Sequence, residues 1–425
     1  MNEYSWIITV IFVIGYFLIT IEHLTKINKT AIALLMAVFC WVVYFQDPSI
    51  SYEKDHYNFM HHLGDVSQII FFLMGALTIV ETISVHQGFK VITDSIQLNS
   101  KRRLLWTLGG IAFFLSAVLD NLTTTVVMIS LLDKLVKEKE VKWYIGGAIV
   151  IAANAGGAWT PIGDVTTTML WIGNQISTLL IMRDLFFPSL ACMIVSFIPF
   201  HMQLTGKFTE ESRTVETNKH VPHTSLIFFL GIALLIFVPI FKILTGLPPF
   251  MGMFFGVGLL WFVTDLIHSD HKARDYLLVP NILKEIDLAS ILFFLGILLS
   301  INSLDSSGVL PRLAQVFDTY IGNTTLIAVF IGLFSAIVDN VPLVAAAMGM
   351  YPLSQYPTDS QFWQLIAYCA GTGGSILIIG SAAGVVFMGM EKVNFFWYVR
   401  KISFPALLGY FAGIGVYLLQ QMLFH

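Results

Sequence analysis

The chain has 425 residues, of which 56% are hydrophobic and 12% charged, whereas soluble domains carry about 25% charged residues. With a mean hydropathy of +0.78, this composition excludes a soluble globular protein, and no nucleic-acid partner is expected. The net charge of −4 says little about partners, because in a membrane protein the position of each charge decides its effect. Cys40, Cys192 and Cys369 lie in apolar stretches without metal-ligand or disulfide spacing and read as small core residues.

Apolar runs bounded by charges or by Pro and Gly read as membrane elements. In the first half they cover 5–21, 31–45, 66–85, 104–136, 143–173 and 185–202. In the second half they cover 224–243, 250–267, 288–303, 325–351, 362–390 and 395–420. The first run has no basic flank and no small-residue cleavage site, so it reads as a span and not as a removable signal or transit peptide. The two halves match element for element. Ser116-Ala117-Val118-Leu119-Asp120-Asn121-Leu122 returns as Ser335-Ala336-Ile337-Val338-Asp339-Asn340-Val341, and Gly156-Gly157 returns at a similar offset as Gly373-Gly374. The chain therefore reads as an internal duplication, 1–222 and 223–425.

Two elements per half are irregular. The run 104–136 is too long for one crossing of roughly 30 Å of hydrocarbon and short for two. A re-entrant hairpin with its tip near Asp120 fits it, and 325–351 is its counterpart around Asp339. The run 143–173 contains Gly156-Gly157 and Pro161, so a broken helix is expected there and, by the repeat, over 362–390. Non-helical backbone at membrane depth survives only where protein or a water-filled cavity surrounds it. Broken helices at matching positions of two halves mark transport sites.

Charge placement orients the chain. With hairpins and the N-terminus outside, all Lys and Arg except Lys54, Arg183, Lys242 and Arg312 fall on the cytoplasmic side, Arg213 and Lys219 of the central loop among them. The odd number of spans per half then gives the halves opposite orientations. The expected fold class is an all-α polytopic membrane protein, an inverted-repeat transporter with about five spans plus one re-entrant hairpin and one broken helix per repeat. Both termini are expected outside.

A carboxylate at bilayer depth costs roughly 2.5–3.5 kcal/mol on insertion scales, and this chain places Asp120 and Asp339 there in matched motifs. Capping a helix N-terminus is one use for such residues, but Ser would serve for that. Short oxygen-bearing side chains suit a hard cation. The first tip offers Asp120, Asn121, Thr123 and Thr124; the first break offers Asn154, Thr160 and Asp164. The second half offers Asp339 and Asn340 at its tip and Ser375 and Ser381 at its break, Ser381 standing where the first half has Asp164. Na⁺ is expected at Asp120, Asn121 and Asp164, with Asp339 facing them. Glu81 and His86, near the cytoplasmic end of 66–85, form a candidate proton relay.

Leu119-Asp120-Asn121-Leu122-Thr123-Thr124-Thr125, the stretch from Asn154-Ala155-Gly156-Gly157 through Thr160-Pro161-Ile162-Gly163-Asp164, and Val338-Asp339-Asn340-Val341-Pro342 together resemble NhaD-type sodium/proton antiporters of the ion transporter superfamily. Val80-Glu81 and His86-Gln87-Gly88-Phe89 share in the likeness. The resemblance implies electrogenic exchange of cytoplasmic Na⁺ or Li⁺ for protons. It also implies a homodimer built from a scaffold and a mobile transport domain, and a bacterial inner membrane or a plastid as the location; the bacterial inner membrane is the expectation here. No cofactor is expected beyond the transported ions, and no enzyme motif is present. The alternative is an anion, metalloid or dicarboxylate permease of the same superfamily, with or without Na⁺ coupling; dicarboxylate carriers typically show Ser-Asn-Thr where this chain has Asp-Asn.

Overall fold

The computed structural model describes residues 2–93, 100–207, 221–269 and 272–424. Arg213 and Lys219 of the expected cytoplasmic loop lie outside the described residues. Among the described residues the fold is all-helical, and eight helices of at least 18 residues are long and apolar enough to cross a membrane unaided. The first half runs Glu3–Thr20, Lys29–Phe45, Tyr52–Val85, Lys101–Leu119, Asn121–Leu135, Lys139–Gly157, Val165–Ile172 and Thr178–Gln203. The second runs Thr224–Thr245, Pro249–His268, Leu288–Ser306, Val309–Tyr320, Thr324–Phe334, Asn340–Met350, Gln361–Gly373, Ala382–Glu391, Phe395–Lys401 and Ser403–Phe424.

The irregular elements fall where the sequence places them. Run 104–136 is two helices meeting at Asp120, and run 325–351 is two helices joined through 335–339. Runs 143–173 and 362–390 break at 158–164 and 374–381. Three features differ from expectation. The third helix begins at Tyr52 and carries His61, paired with Asp65 one turn on at 3.1 Å, where the sequence reads as a polar loop. An amphipathic helix, Val309–Tyr320, precedes the second tip element and is bent 119° from Thr324–Phe334. The last expected span divides at Ile402. In the first two cases the helix is built from mixed polar and apolar residues, which a search for apolar runs passes over.

The helices pack as two bundles. In one, Lys29–Phe45 lies against Glu3–Thr20 and Leu288–Ser306, while Pro249–His268 lies against Thr224–Thr245 and Tyr52–Val85. In the other, Lys101–Leu119 packs on Lys139–Gly157 as Thr324–Phe334 packs on Gln361–Gly373. There too Asn121–Leu135 meets Ala382–Glu391 as Asn340–Met350 meets Val165–Ile172. Each of these contacts has a counterpart with the halves exchanged, so the halves are interleaved and each bundle draws on both. Leu288–Ser306 against Asn340–Met350 joins the bundles.

The close approaches repeat as well. A Cβ on Gly156 would fall 2.1 Å from the Phe113 carbonyl oxygen, and one on Gly373 would fall 2.0 Å from that of Gly332. Ser116 Oγ donates to the Ala153 carbonyl (2.6 Å), and Ser335 Oγ to the Ala370 carbonyl (3.0 Å). The breaks that begin new helices do so at Asp164 (φ −147°, ψ 150°) and Ser381 (φ −145°, ψ 155°), two residues in the same extended conformation. The tips differ: Asp339 has φ −47°, whereas Asp120 sits at φ 105°, ψ 161°, a conformation that residues with a Cβ rarely adopt.

Two outcomes follow for stability in detergent. Gly156→Ala or Gly373→Ala is expected to cost about 1–3 kcal/mol by overpacking backbone against backbone, read as a lowered melting temperature. Gly110→Ala, whose Cβ meets nothing within 4 Å, leaves it unchanged or raises it. At the first tip, Asp120→Gly and Asp120→Ala both lose the carboxylate, but glycine also relieves the backbone. The glycine variant is expected to be about 1–3 kcal/mol the more stable of the two.

Candidate ion-binding site

A helix that begins in the middle of a bilayer exposes N–H groups that no water can satisfy. In this molecule side chains serve those groups. Asp120 Oδ1 accepts the Thr123 backbone N–H at 2.7 Å, and Oδ2 accepts the Thr123 hydroxyl at 2.9 Å. Asp164 Oδ1 accepts from the Thr166 N–H (3.4 Å), Asp339 Oδ1 from the Val341 N–H (3.2 Å), and Ser381 Oγ from the Gly384 N–H (3.3 Å). Each of these residues is the N-cap of the helix that follows it. The positive end of a helix dipole, about half an elementary charge, therefore lies beside each of the three carboxylates.

Behind the caps is a network of amides and hydroxyls. The Asn121 amide nitrogen donates to Asn154 Oδ1 (2.9 Å) and to Asp164 Oδ2 (3.2 Å). Asn340, from the second half, donates to the same Asp164 oxygen at 3.1 Å. Asn154 donates onward to Ser375 Oγ and Ser381 Oγ, both at 2.9 Å. Asp164 is only 2% exposed, and Asn121, Asn154, Asn340, Ser375 and Ser381 are buried with it. Asp120 and Asp339 are half-buried.

A cavity of about 80 Å³ opens among these groups. Asp120, Asn121, Asp164, Asp339 and Asn340 line it, and apolar side chains including Phe72, Leu235, Met253 and Phe294 form the rest of its wall. Among the described residues no lysine or arginine lines it. The space suits a few waters or a small ion with part of its hydration shell.

The sequence candidates divide into three groups. Asp120, Asn121, Asp164, Asp339 and Asn340 meet at the cavity. Asn154, Ser375 and Ser381 stand one layer back and hold the liners in place. Thr123 caps with Asp120, Thr124 is fully buried away from the cavity wall, and Thr160 Oγ donates to the Ala117 carbonyl at 2.6 Å, tying the break to the first tip. Glu81 and His86 are not brought together. His86 Nδ1 lies 2.7 Å from the Thr82 carbonyl and Nε2 lies 3.1 Å from His268 Nε2. Five positions along a helix of 3.6 residues per turn place two side chains roughly 140° apart, so the expected relay lacks the geometry.

Two carboxylates escape a search for acidic residues within apolar runs. Asp287, the N-cap of Leu288–Ser306, lines the same cavity from the other bundle; its signal is an acidic residue immediately before an apolar run. Asp184 is buried away from the cavity, where it accepts from Arg183 (2.6 Å) and from Gln364 (2.9 Å), whose Oε1 accepts the Tyr417 hydroxyl at 2.7 Å. Beside Arg183 in sequence it reads as half of a surface pair.

The sequence model of the citrate transporter family, CitMHS, matches residues 16–371. The chain is 52% identical to Sodium/proton antiporter 1 of Arabidopsis thaliana over 98% of this chain and 74% of that protein. It is 52% identical to Sodium/proton antiporter 2 of the same plant over 96% and 98%. To the Na(+)/H(+) antiporter NhaD of Vibrio cholerae it is 30% identical over 96% of this chain and 90% of the relative. With 96–98% of its length aligned to these antiporters, the chain belongs to the family of NhaD-type sodium/proton antiporters.

Proposed function

We propose that this integral membrane protein is a secondary active antiporter that extrudes cytoplasmic Na⁺, or Li⁺, in exchange for protons, the ion and the proton competing for intramembrane aspartates. Family membership supports sodium/proton antiport. The observation that carries the mechanism is the cavity on which Asp120, Asp164 and Asp339 converge with no lysine or arginine among the described residues of its lining. Asn121 and Asn340 direct their amide nitrogens at Asp164, so their Oδ1 atoms are the neutral ligands left for a cation. A bound ion balances the carboxylates; protonation removes the charge that holds the ion and lets the empty carrier reorient. Competition at one site couples the two fluxes without a separate gate and without a cofactor. The membrane potential contributes about 2.3 kcal/mol per charge per 100 mV.

The matched family's description as citrate transporters raises the anion-permease reading. The cavity speaks against it: an oxyanion site wants a cationic side chain or an uncapped helix N-terminus, and here aspartates occupy the N-caps.

The inverted repeat belongs to the same proposal, and the exchange of halves in the helix contacts supports it. The bundle of tips and breaks would move against the other bundle, which would hold two copies together as a homodimer. The proposed setting is a bacterial plasma membrane with both termini outside, an orientation the basic residues favour; membrane fractionation and an accessible terminal tag check both.

In proteoliposomes, Asp164→Asn and Asp120→Asn are each expected to lower Na⁺-dependent proton exchange more than about a hundredfold, since leaving a buried charge arrangement incomplete costs about 3–5 kcal/mol. Wild-type exchange by Asp164→Asn would sink the mechanism. In wild type, the Na⁺ concentration for half-maximal exchange is expected to rise as pH falls, by about tenfold per pH unit for each proton displaced where the protonated form dominates. A pH-independent value would mean that ion and proton use different sites.

A further inference from the structure

Far from the ion site, where Ala382–Glu391 gives way to the short helix Phe395–Lys401, the surface opens into a cleft of about 600 Å³ lined by Asn394, Phe396, Trp397, Arg400 and Lys401. Its edge continues onto the start of Lys139–Gly157. Trp143 meets Trp397 edge-on with ring centroids 4.9 Å apart, Lys139 lies over the Trp143 ring at 4.8 Å, and Lys401 lies over Tyr144 at 5.8 Å. Lys142 nearby is neutralised by Asp133 and by Glu391, the latter at 3.5 Å. Among the described residues, by contrast, Arg400, Lys401 and Lys139 form no ion pair.

Four observations indicate what this cleft accepts. Excess positive charge with no carboxylate in the lining selects an anion. Tryptophan and tyrosine clustered where an apolar span ends mark the headgroup level of a bilayer. Phe396 is 72% exposed and Phe404, at the start of the following span, 64%, so acyl chains have apolar side chains to lie on. Asn394 Oδ1 accepts the Phe396 and Trp397 N–H groups (2.9 and 3.2 Å), which leaves the Asn394 amide nitrogen as a third donor beside the two cations.

We propose that the cleft of Asn394, Trp397, Arg400 and Lys401 binds the phosphodiester headgroup of an anionic phospholipid. Arg400 and Lys401 supply charge-assisted hydrogen bonds to the phosphate oxygens, and the Trp397 face covers the glycerol. The lipid also reaches the transport machinery. Tyr398, on the same short helix, is buried and donates its hydroxyl to the Ser375 carbonyl at 2.8 Å, and Ser375 Oγ accepts from Asn154 behind the cavity. An occupied cleft steadies Phe395–Lys401 and, through Tyr398, the second break.

Native mass spectrometry of the full-length protein released from mixed phosphatidylglycerol and phosphatidylcholine micelles tests this independently of transport. Wild type is expected to retain phosphatidylglycerol over phosphatidylcholine, and Arg400→Gln/Lys401→Gln to bind it about thirtyfold more weakly. Arg103→Gln/Lys284→Gln removes the same charge from exposed positions outside the cleft and is expected to retain the lipid as wild type does. Equal retention by wild type and the cleft variant would overturn the proposal, as would equal loss from the two variants, which is the signature of diffuse surface attraction. Failure of Na⁺/H⁺ exchange would leave these adducts unchanged, so the two readings fail separately.

Discussion

Everything at the centre of this molecule follows from helices that start in its interior. The helices beginning at Asn121, Val165, Asn340 and Ala382 each present N–H groups to a region where water is scarce, and each needs a side-chain acceptor. Ser381 shows that a hydroxyl is enough, for it caps its helix in the same backbone conformation as Asp164. Aspartate at the other three positions therefore carries charge that capping does not require. The helix dipoles offset part of that charge, and the remainder is available to a cation or a proton. One residue type thus meets the backbone's need and supplies the charge of the proposed ion site, so that site could not be moved elsewhere without rebuilding the breaks.

The hydrogen-bond network makes the centre a shared possession of both halves. Asn121 and Asn340 come from different halves and donate to one oxygen of Asp164. Asn154 of the first half donates to Ser375 and Ser381 of the second. A change of charge on Asp164 is felt at both tips through a single hydrogen bond each. The glycine contacts behind this network, backbone against backbone at Gly156 and Gly373, leave little room for the tips to shift independently of the broken helices that support them.

Much of this is legible in the chain itself. The Asp-Asn pairs and the Gly-Gly pairs locate the two tips and the two matched breaks, because a charge or a glycine pair within an apolar run weakens a plain span. The helix bounds at the second tip, Thr324–Phe334 and Asn340–Met350, fall within a residue of the expected 325–351. The rest is hidden for physical reasons. The early start at Tyr52 and the helix Val309–Tyr320 are held by one-sided packing and not by uniform apolarity. Asp287 reaches the cavity by tertiary placement across the bundles, which no local pattern encodes. Glu81 and His86 look like partners along the chain, yet helical rotation sends them to different neighbours, and His86 finds His268 from the second half.

The two tips, alike in sequence, differ in how the chain turns. The first reverses at Asp120 alone, in a conformation that residues with a side chain seldom hold, whereas the second spreads its turn over 335–339 with ordinary torsions at Asp339. The first concentrates its reversal in one strained residue, and the second distributes it over several. If the halves face opposite sides of the membrane, the gates that they form are not mirror copies of each other. Equilibrium still fixes the ratio of forward to reverse rate products around the transport cycle, but it does not require the ion to pass the two tips equally fast. The carrier can then be kinetically lopsided while thermodynamically reversible.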